Sequence, residues 1–174
     1  PQRLYEAFQD YTCTNLFASP ALIDKLGRYC TDQDLELTSL QRAISAGAPA
    51  SSPALERFQG CLPEGVDVLT CYGATESLPV TMLGSREILR ETRQLTDRGG
   101  GVCVGRPSTG IHVRIVPIHD EPIESWLEDL ALPPGETGEI VVRGAVVTPS
   151  YYKRPQATKL AKIPAESGEA WHRM

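Results

Sequence analysis

The 174-residue chain is predicted to adopt an α/β fold: a parallel sheet with crossover helices, followed by a smaller, mostly antiparallel β layer. Three observations predict it. Strand-like and helix-period stretches alternate through the first ~70 residues. Ser-Pro pairs open two of the helical stretches. Beyond residue 98, β-rich runs punctuated by glycine and proline replace most of the helices.

Taken in order, Leu4, Phe8 and Tyr11 recur at helical spacing. The apolar run Thr14–Ser19 reads as a strand and ends at Ser19-Pro20, a capping hydroxyl followed by a first-turn proline. Leu22, Ile23, Leu26 and Tyr29 continue the apolar face of that second helix. After the polar break at Thr31–Asp34, Arg42–Gly47 is a second strand, and Ser52-Pro53 opens a helix carrying Leu55, Phe58 and Leu62 on one face. Val66–Gly73 is the third strand. Strands separated by helical crossovers pair in parallel, with right-handed connections.

Farther on, Ser85–Leu95 is a charged helix, for which a solvated face laced by i,i+4 ion pairs is expected rather than a surface for a partner enzyme or a membrane. Then come the glycine run Gly99–Gly101 and three β segments: Gly101–Gly105, Ile111–Ile118 with alternating Ile111, Val113 and Ile115, and Gly138–Gly144. Glu121–Glu136 reads as a long loop or lid within this layer. A short helix at Arg154–Ile163 and a strand beginning at Ala170 close the chain. Residues 1–98 are thus expected to be an α/β part, and residues 99–174 a β-rich subdomain.

Composition bounds the function. At 41% hydrophobic with a net charge of −5, the chain has no electrostatic footprint for nucleic acid. No apolar run reaches the roughly 20 residues of a membrane span, and the first residues lack a signal-peptide pattern, so a cytoplasmic protein is expected. The five cysteines, Cys13, Cys30, Cys61, Cys71 and Cys103, have no C-x-x-C spacing and are expected to be buried free thiols. His112, His119 and His172 stand apart from one another and from other ligand-type residues, so surface or packing roles are expected.

In a parallel sheet, Ser19-Pro20, the turn Ser45–Pro49 and the stretch Tyr72–Glu76 would all lie just beyond carboxyl ends of strands, the edge where open α/β sheets bind ligands. Gly47 and Gly73 would let backbone approach a base or phosphate. Tyr72 could stack on a purine for about 0.5 to 1.5 kcal/mol. Thr75 offers a hydroxyl to a phosphate oxygen, and Glu76 a hard oxygen ligand suited to Mg2+ held mainly by phosphates and water. Each also has a plainer explanation: Tyr72 as packing, Gly73–Thr75 as a turn, and Thr75-Glu76 as the cap of a following helix.

The stretches Ser45–Pro49, Tyr72–Glu76, Gly138–Gly144 and Tyr151–Thr158 resemble, in order and spacing, motifs of the adenylate-forming superfamily of acyl-CoA synthetases, fatty acyl-AMP ligases and luciferases. The resemblance implies that Ala46, Gly47, Ala48 and Pro49 border adenine and ribose, and that Tyr72, with Gly73 and Ala74, flanks the adenine. It implies that Thr75 touches the α-phosphate and that Glu76 sits by Mg2+. Catalytic roles thereby fall to Thr75 and Glu76, with ATP/AMP and Mg2+ as cofactors. A carboxylate would attack the α-phosphorus of ATP, chemistry that asks a protein mainly for positioning and charge neutralisation.

Against the family pattern, a Ser/Thr/Gly-rich phosphate loop with its lysine is expected upstream of Pro1. A Gly-Asp pair and a small carboxy-terminal domain with the adenylation lysine are expected after Met174. The chain is therefore expected to be a central fragment, inactive in adenylation by itself. Within the superfamily, Tyr72–Val80, Arg98–Pro107 and Gly138–Ile163 are most similar to the β-lactone synthetases of bacterial long-chain olefin biosynthesis. That subfamily resemblance implies a long-chain 2-alkyl-3-hydroxy acid as acyl substrate, partner enzymes of the same pathway, and ring closure without coenzyme A. An acyl-CoA synthetase or fatty acyl-AMP ligase, and a non-catalytic nucleotide-binding module, stand as alternatives. Leu78, Pro79, Val80 and Met82 are candidates for lining an acyl tunnel or for plain core.

Overall fold

The computed structural model describes residues 1–166 and 168–174. The chain divides into two compact units: Pro1–Tyr72 with Thr81–Arg106, and Gly73–Val80 with Pro107–Met174. Its strands form a five-stranded sheet in the order β1 (Asn15–Ala18), β2 (Arg42–Ser45), β3 (Val68–Ala74), β4 (Ser77–Gly84), β5 (Arg106–Pro107), and a four-stranded sheet in the order β6 (His112–Val116), β7 (Glu139–Arg143), β9 (Ala170–Arg173), β8 (Lys162–Pro164).

In the first unit, α1 (Gln2–Asp10), β1 (Asn15–Ala18), α2 (Pro20–Asp32), β2 (Arg42–Ser45), α3 (Ser52–Gln59) and β3 (Val68–Ala74) succeed one another as predicted. β1 pairs with β2, and β2 with β3, in parallel. Ser19 starts α2 by accepting a hydrogen bond from Leu22 N at 3.4 Å, with Pro20 in the first turn. The apolar faces of α2 and α3 meet over this sheet: Ile23, Leu26, Leu55 and Phe58 are fully buried with Ala43 and Val68. Gly27 makes that approach possible, since a Cβ there would stand 3.0 Å from Phe58 N. Leu62 lies past the end of α3 but still joins the same core.

β3 reverses into β4 (Ser77–Gly84) through the two residues Thr75 and Glu76. The charged segment after β4 is helical as expected, with α4 (Ser85–Glu87), a wider π turn (Ile88–Thr92) and α5 (Arg93–Asp97). Ile88 packs on the core, while Arg93 pairs with Glu56 and, one turn on, with Asp97. Arg106 pairs with Glu87. The expected strand at Gly101–Gly105 is absent; only β5 (Arg106–Pro107) is extended there. Gly101 (φ +84°) and Gly105 (φ +91°) take left-handed backbone that a strand cannot hold. At Gly105 the chain passes so close to the Met82 carbonyl that a side chain would collide with it.

The second unit holds β6 (His112–Val116), β7 (Glu139–Arg143), α6 (Pro155–Ala161), β8 (Lys162–Pro164) and β9 (Ala170–Arg173), with antiparallel pairing throughout the sheet. Its core is Val116, Trp126, Val141, Ile163 and Trp171. The rings of Trp126 and Trp171 stack with centroids 4.4 Å apart, and the Arg143 guanidinium sits 4.9 Å over Trp171. The stretch Glu121–Glu136, expected to be a long loop or lid, is a loop and is anchored: Trp126 is buried, and its main-chain N–H donates to Pro164 O at 2.7 Å. Arg173 binds Glu139 through both carboxylate oxygens and also donates to the carbonyls of Glu121 and Leu160, each at 3.0 Å. A charge with only 9% of its residue surface exposed is tolerated because all of these partners satisfy it.

Of the cysteines, Cys30 and Cys61 are buried free thiols, as expected, and burial pushes the Cys30 thiol up to about 12. Cys13 and Cys71 are only half-buried, and Cys103, in the glycine-broken segment before β5, is exposed, so these three depart from the expectation of burial. Among the described residues, no helix is long and apolar enough to cross a membrane.

Phe58→Ala leaves a cavity between α2 and α3 and is expected to cost about 3 to 5 kcal/mol in denaturant unfolding of the protein. A loss below about 1 kcal/mol would mean that Phe58 is not the keystone of this helix pair.

Candidate functional site

The register of the parallel strands places Ala18, Ser45 and Thr70 at one level, and Ala46 N donates to Ala18 O at 3.2 Å. The Ala46–Pro49 loop thus leaves β2 where β3 runs on through Cys71 and Tyr72. Ala46 is half-buried, whereas Gly47, Ala48 and Pro49 are exposed. Gly47 adopts φ +93° with open space where a side chain would be, so its glycine is required by backbone conformation and leaves the loop uncovered. Tyr72 is half-buried, and the Ser45 hydroxyl at the end of β2 is buried without a partner.

In the second unit the geometry departs from a loop that succeeds a strand and precedes a helix. Gly73 and Ala74 still belong to β3, and only Thr75 and Glu76 form the turn. The helix-cap explanation for Thr75-Glu76 therefore fails, because the next element is the strand β4. Gly73 has a local reason to be glycine: a Cβ would stand 2.6 Å from Ser77 O and 2.9 Å from Leu78 Cδ1. The space opposite it is filled by the hairpin itself. Thr75 is exposed at the tip, and the Ser77 hydroxyl is buried without a partner. Along β4, Val80 is fully buried core and Leu78 is 44% exposed.

Glu76 is the most constrained of the candidates. Its Oε1 accepts from the Tyr151 hydroxyl at 2.7 Å, and its carbonyl accepts from Thr148 N at 2.8 Å. The Tyr151 bond, with help from its own main-chain N–H and from the charges of His172 and Lys162, holds the Glu76 carboxyl below its ordinary range. The same bond raises the Tyr151 phenol. Lys162 is buried, its Nζ bonds Thr148 Oγ1 at 3.3 Å, and burial lowers its pKa against the opposing pull of Glu76. His172 is buried too; Nδ1 lies 3.1 Å from Ala161 O, and desolvation followed by the Lys162 charge lowers it.

Tyr151, Lys162 and His172 carried no functional expectation. Tyr151 opens the Tyr151–Thr158 motif, but nothing in its spacing pairs it with a residue 75 positions away. Lys162 and His172 become neighbours through the β8–β9 register, which sets them opposite each other. His172, for which a surface or packing role was expected, is buried and faces Lys162 across the strands.

The donor set fits the hard divalent cation that the resemblance implies. Glu76 offers an ionised carboxylate, and among the described residues no group of three or more His, Cys, Asp or Glu could cage a metal. A cation here would be held through one carboxylate plus a ligand's phosphates and water, the usual manner of Mg2+. Each unit also offers features that suit a polar ligand: the exposed main chain at Gly47 and the orphaned Ser45 hydroxyl in the first, and the orphaned Ser77 hydroxyl in the second.

The family of AMP-binding enzymes has this fold among its members. That family matches residues 1–152, and the chain belongs to it. The chain is 42% identical over 163 residues to the olefin beta-lactone synthetase of Stenotrophomonas maltophilia, covering 94% of this chain and 29% of that protein. It is 39% identical over 163 residues to the olefin beta-lactone synthetase of Xanthomonas campestris pv. campestris, covering 94% of this chain and 28% of the relative. The chain thus spans less than a third of the length of these relatives. In fold it is similar to a long-chain-fatty-acid-CoA ligase of Archaeoglobus fulgidus, with a TM-score of 0.71 at 20% identity over 99% of this chain and 33% of that one.

The lowered His172 pKa has a definite sign. A base whose folded pKa lies below its ordinary 6.5 contributes stability above 6.5 that is lost as pH falls through the folded value, because the unfolded chain takes the proton first. The thermal midpoint is expected to fall as pH drops below 6.5, a drop that His172→Asn reduces. An NMR titration placing the His172 midpoint at or above 6.5 contradicts this.

Proposed function

We propose that the protein carrying this chain activates a long-chain 3-hydroxy fatty acid with ATP and closes the product to a β-lactone. The adenylation half of this reading rests on one observation: Glu76, in a two-residue turn beside an exposed Thr75 hydroxyl, is an anchored and ionised carboxylate. The lactone half is supported by the identity to two proteins named olefin beta-lactone synthetase.

In this reading Ala46–Pro49 and Tyr72 hold the adenine and ribose, the open main chain at Gly47 admitting the flat base. Gly73 and Ala74 keep the hairpin tight enough to present Thr75, whose hydroxyl donates to an α-phosphate oxygen. Glu76 would hold Mg2+, which supplies charge neutralisation of the polyphosphate when bound. A carboxylate oxygen of the acid attacks the α-phosphorus, the bond to the β-phosphate oxygen breaks, and pyrophosphate leaves an acyl-AMP mixed anhydride. The 3-hydroxyl oxygen then attacks the acyl carbon, AMP departs with its oxygen, and the hydroxyl proton passes to solvent. Proximity favours the second step and strain in the four-membered ring opposes it. The setting is the cytoplasm, with partner enzymes handling the acyl chain before and after.

The full-length protein, supplied with a 3-hydroxy fatty acid and Mg2+·ATP, is expected to yield a lactone by mass spectrometry without coenzyme A. A thioester formed only when coenzyme A is present replaces this reading with an acyl-CoA synthetase, and AMP binding without turnover leaves a binding module. Glu76→Gln is expected to lower acid-dependent pyrophosphate exchange about 100-fold while moving the thermal midpoint little. Equal loss in both measurements marks Glu76 as structural.

A further inference from the structure

We infer that Tyr151 is a positioning residue for Glu76: its hydroxyl occupies Oε1, fixes the carboxylate, and leaves Oε2 as the oxygen that meets a divalent cation bound with nucleotide. The inference rests on the metal-side role given to Glu76 under the proposed function. Three features of the second unit carry it. The bond joins groups 75 residues apart at 2.7 Å, so it is made by the tertiary fold. The segment that presents Tyr151 is itself pinned, Tyr151 N donating to Thr158 Oγ1 at 3.0 Å and Arg154 N to Tyr151 O at 3.2 Å. The same segment grips the turn's main chain, through Thr148 N to Glu76 O at 2.8 Å. Its neighbour Tyr152 shows the contrast, for that residue is 85% exposed.

A glutamate at a turn is otherwise free about three side-chain bonds, and ordering it on binding a cation costs entropy. A hydroxyl already holding one oxygen removes much of that cost before the cation arrives. Outer partners that orient a metal ligand in this way change metal affinity about 10- to 100-fold when lost. A phenol meant only to staple the hairpin would not need the carboxylate tip, since the Thr148 N–H already ties the turn at its main chain.

The test is a Mn2+ titration of the full-length protein monitored by electron paramagnetic resonance, with the non-cleavable α,β-methylene analogue of ATP present, so that no turnover is needed. Tyr151→Phe is expected to weaken nucleotide-dependent Mn2+ binding about tenfold and to have no effect when Glu76→Gln is already present. Thr158→Val, which keeps both partners and removes only the acceptor of Tyr151 N, is expected to weaken it in the same direction by a smaller factor, and it stands in if Tyr151→Phe fails to fold. If Glu76→Gln abolishes Mn2+ binding but neither Tyr151→Phe nor Thr158→Val changes it, the positioning role is wrong and the reading of Glu76 survives. If Glu76→Gln itself leaves Mn2+ binding intact, the assignment of the metal to Glu76 falls, and this inference with it.

Discussion

Reversing a strand in two residues constrains everything placed around Thr75 and Glu76. Two-residue hairpin loops bring the flanking main chains together at once. At Gly73 there is no room for a Cβ against Ser77 O. In return, the turn projects a hydroxyl into solvent and a carboxylate toward the segment that precedes α6. A longer loop would leave both groups mobile. A helix after β3, the plainer alternative weighed for Thr75-Glu76, would point them elsewhere.

The titratable groups whose charges act on that turn belong to one unit. Lys162 and His172 are buried bases on facing strands, each disfavoured as a cation by desolvation. The Glu76 charge opposes that effect only in part, and the Tyr151 hydroxyl bonds its carboxyl. Perturbed groups gathered about one carboxylate are a feature of functional sites and of structural ion-pair networks alike. Arg173 in the same unit provides the comparison: its charge is fully consumed by Glu139 and main-chain carbonyls, and it serves packing.

Much of the fold was legible because its signals are local. Ser19 and Pro20 announce α2 through capping chemistry, and Leu55 and Phe58 announce the buried face of α3 through their spacing. The segment Gly101–Gly105 misled, since alternating valine and cysteine read as a strand while its glycines take left-handed backbone. The stretch Glu121–Glu136 was legible as a loop or lid, but no periodicity shows that Trp126 will stack on Trp171, 45 positions on. Of the candidate site, Thr75 and Glu76 were visible as residue types suited to phosphate and metal, whereas Tyr151, Lys162 and His172 were not.

The sequence by itself determined the alternation of strands and helices, the points where helices begin, and the residue types of a short stretch, Tyr72–Glu76, on which the proposed nucleotide role rests. Each of these depends on neighbours a few positions apart, within one turn or one strand. Only the tertiary structure decided that Glu76 sits in a hairpin turn, that Tyr151 holds its carboxylate, and that Lys162 and His172 lie buried nearby. Those relations arise from strand register and chain reversal, which bring together groups that no local period connects.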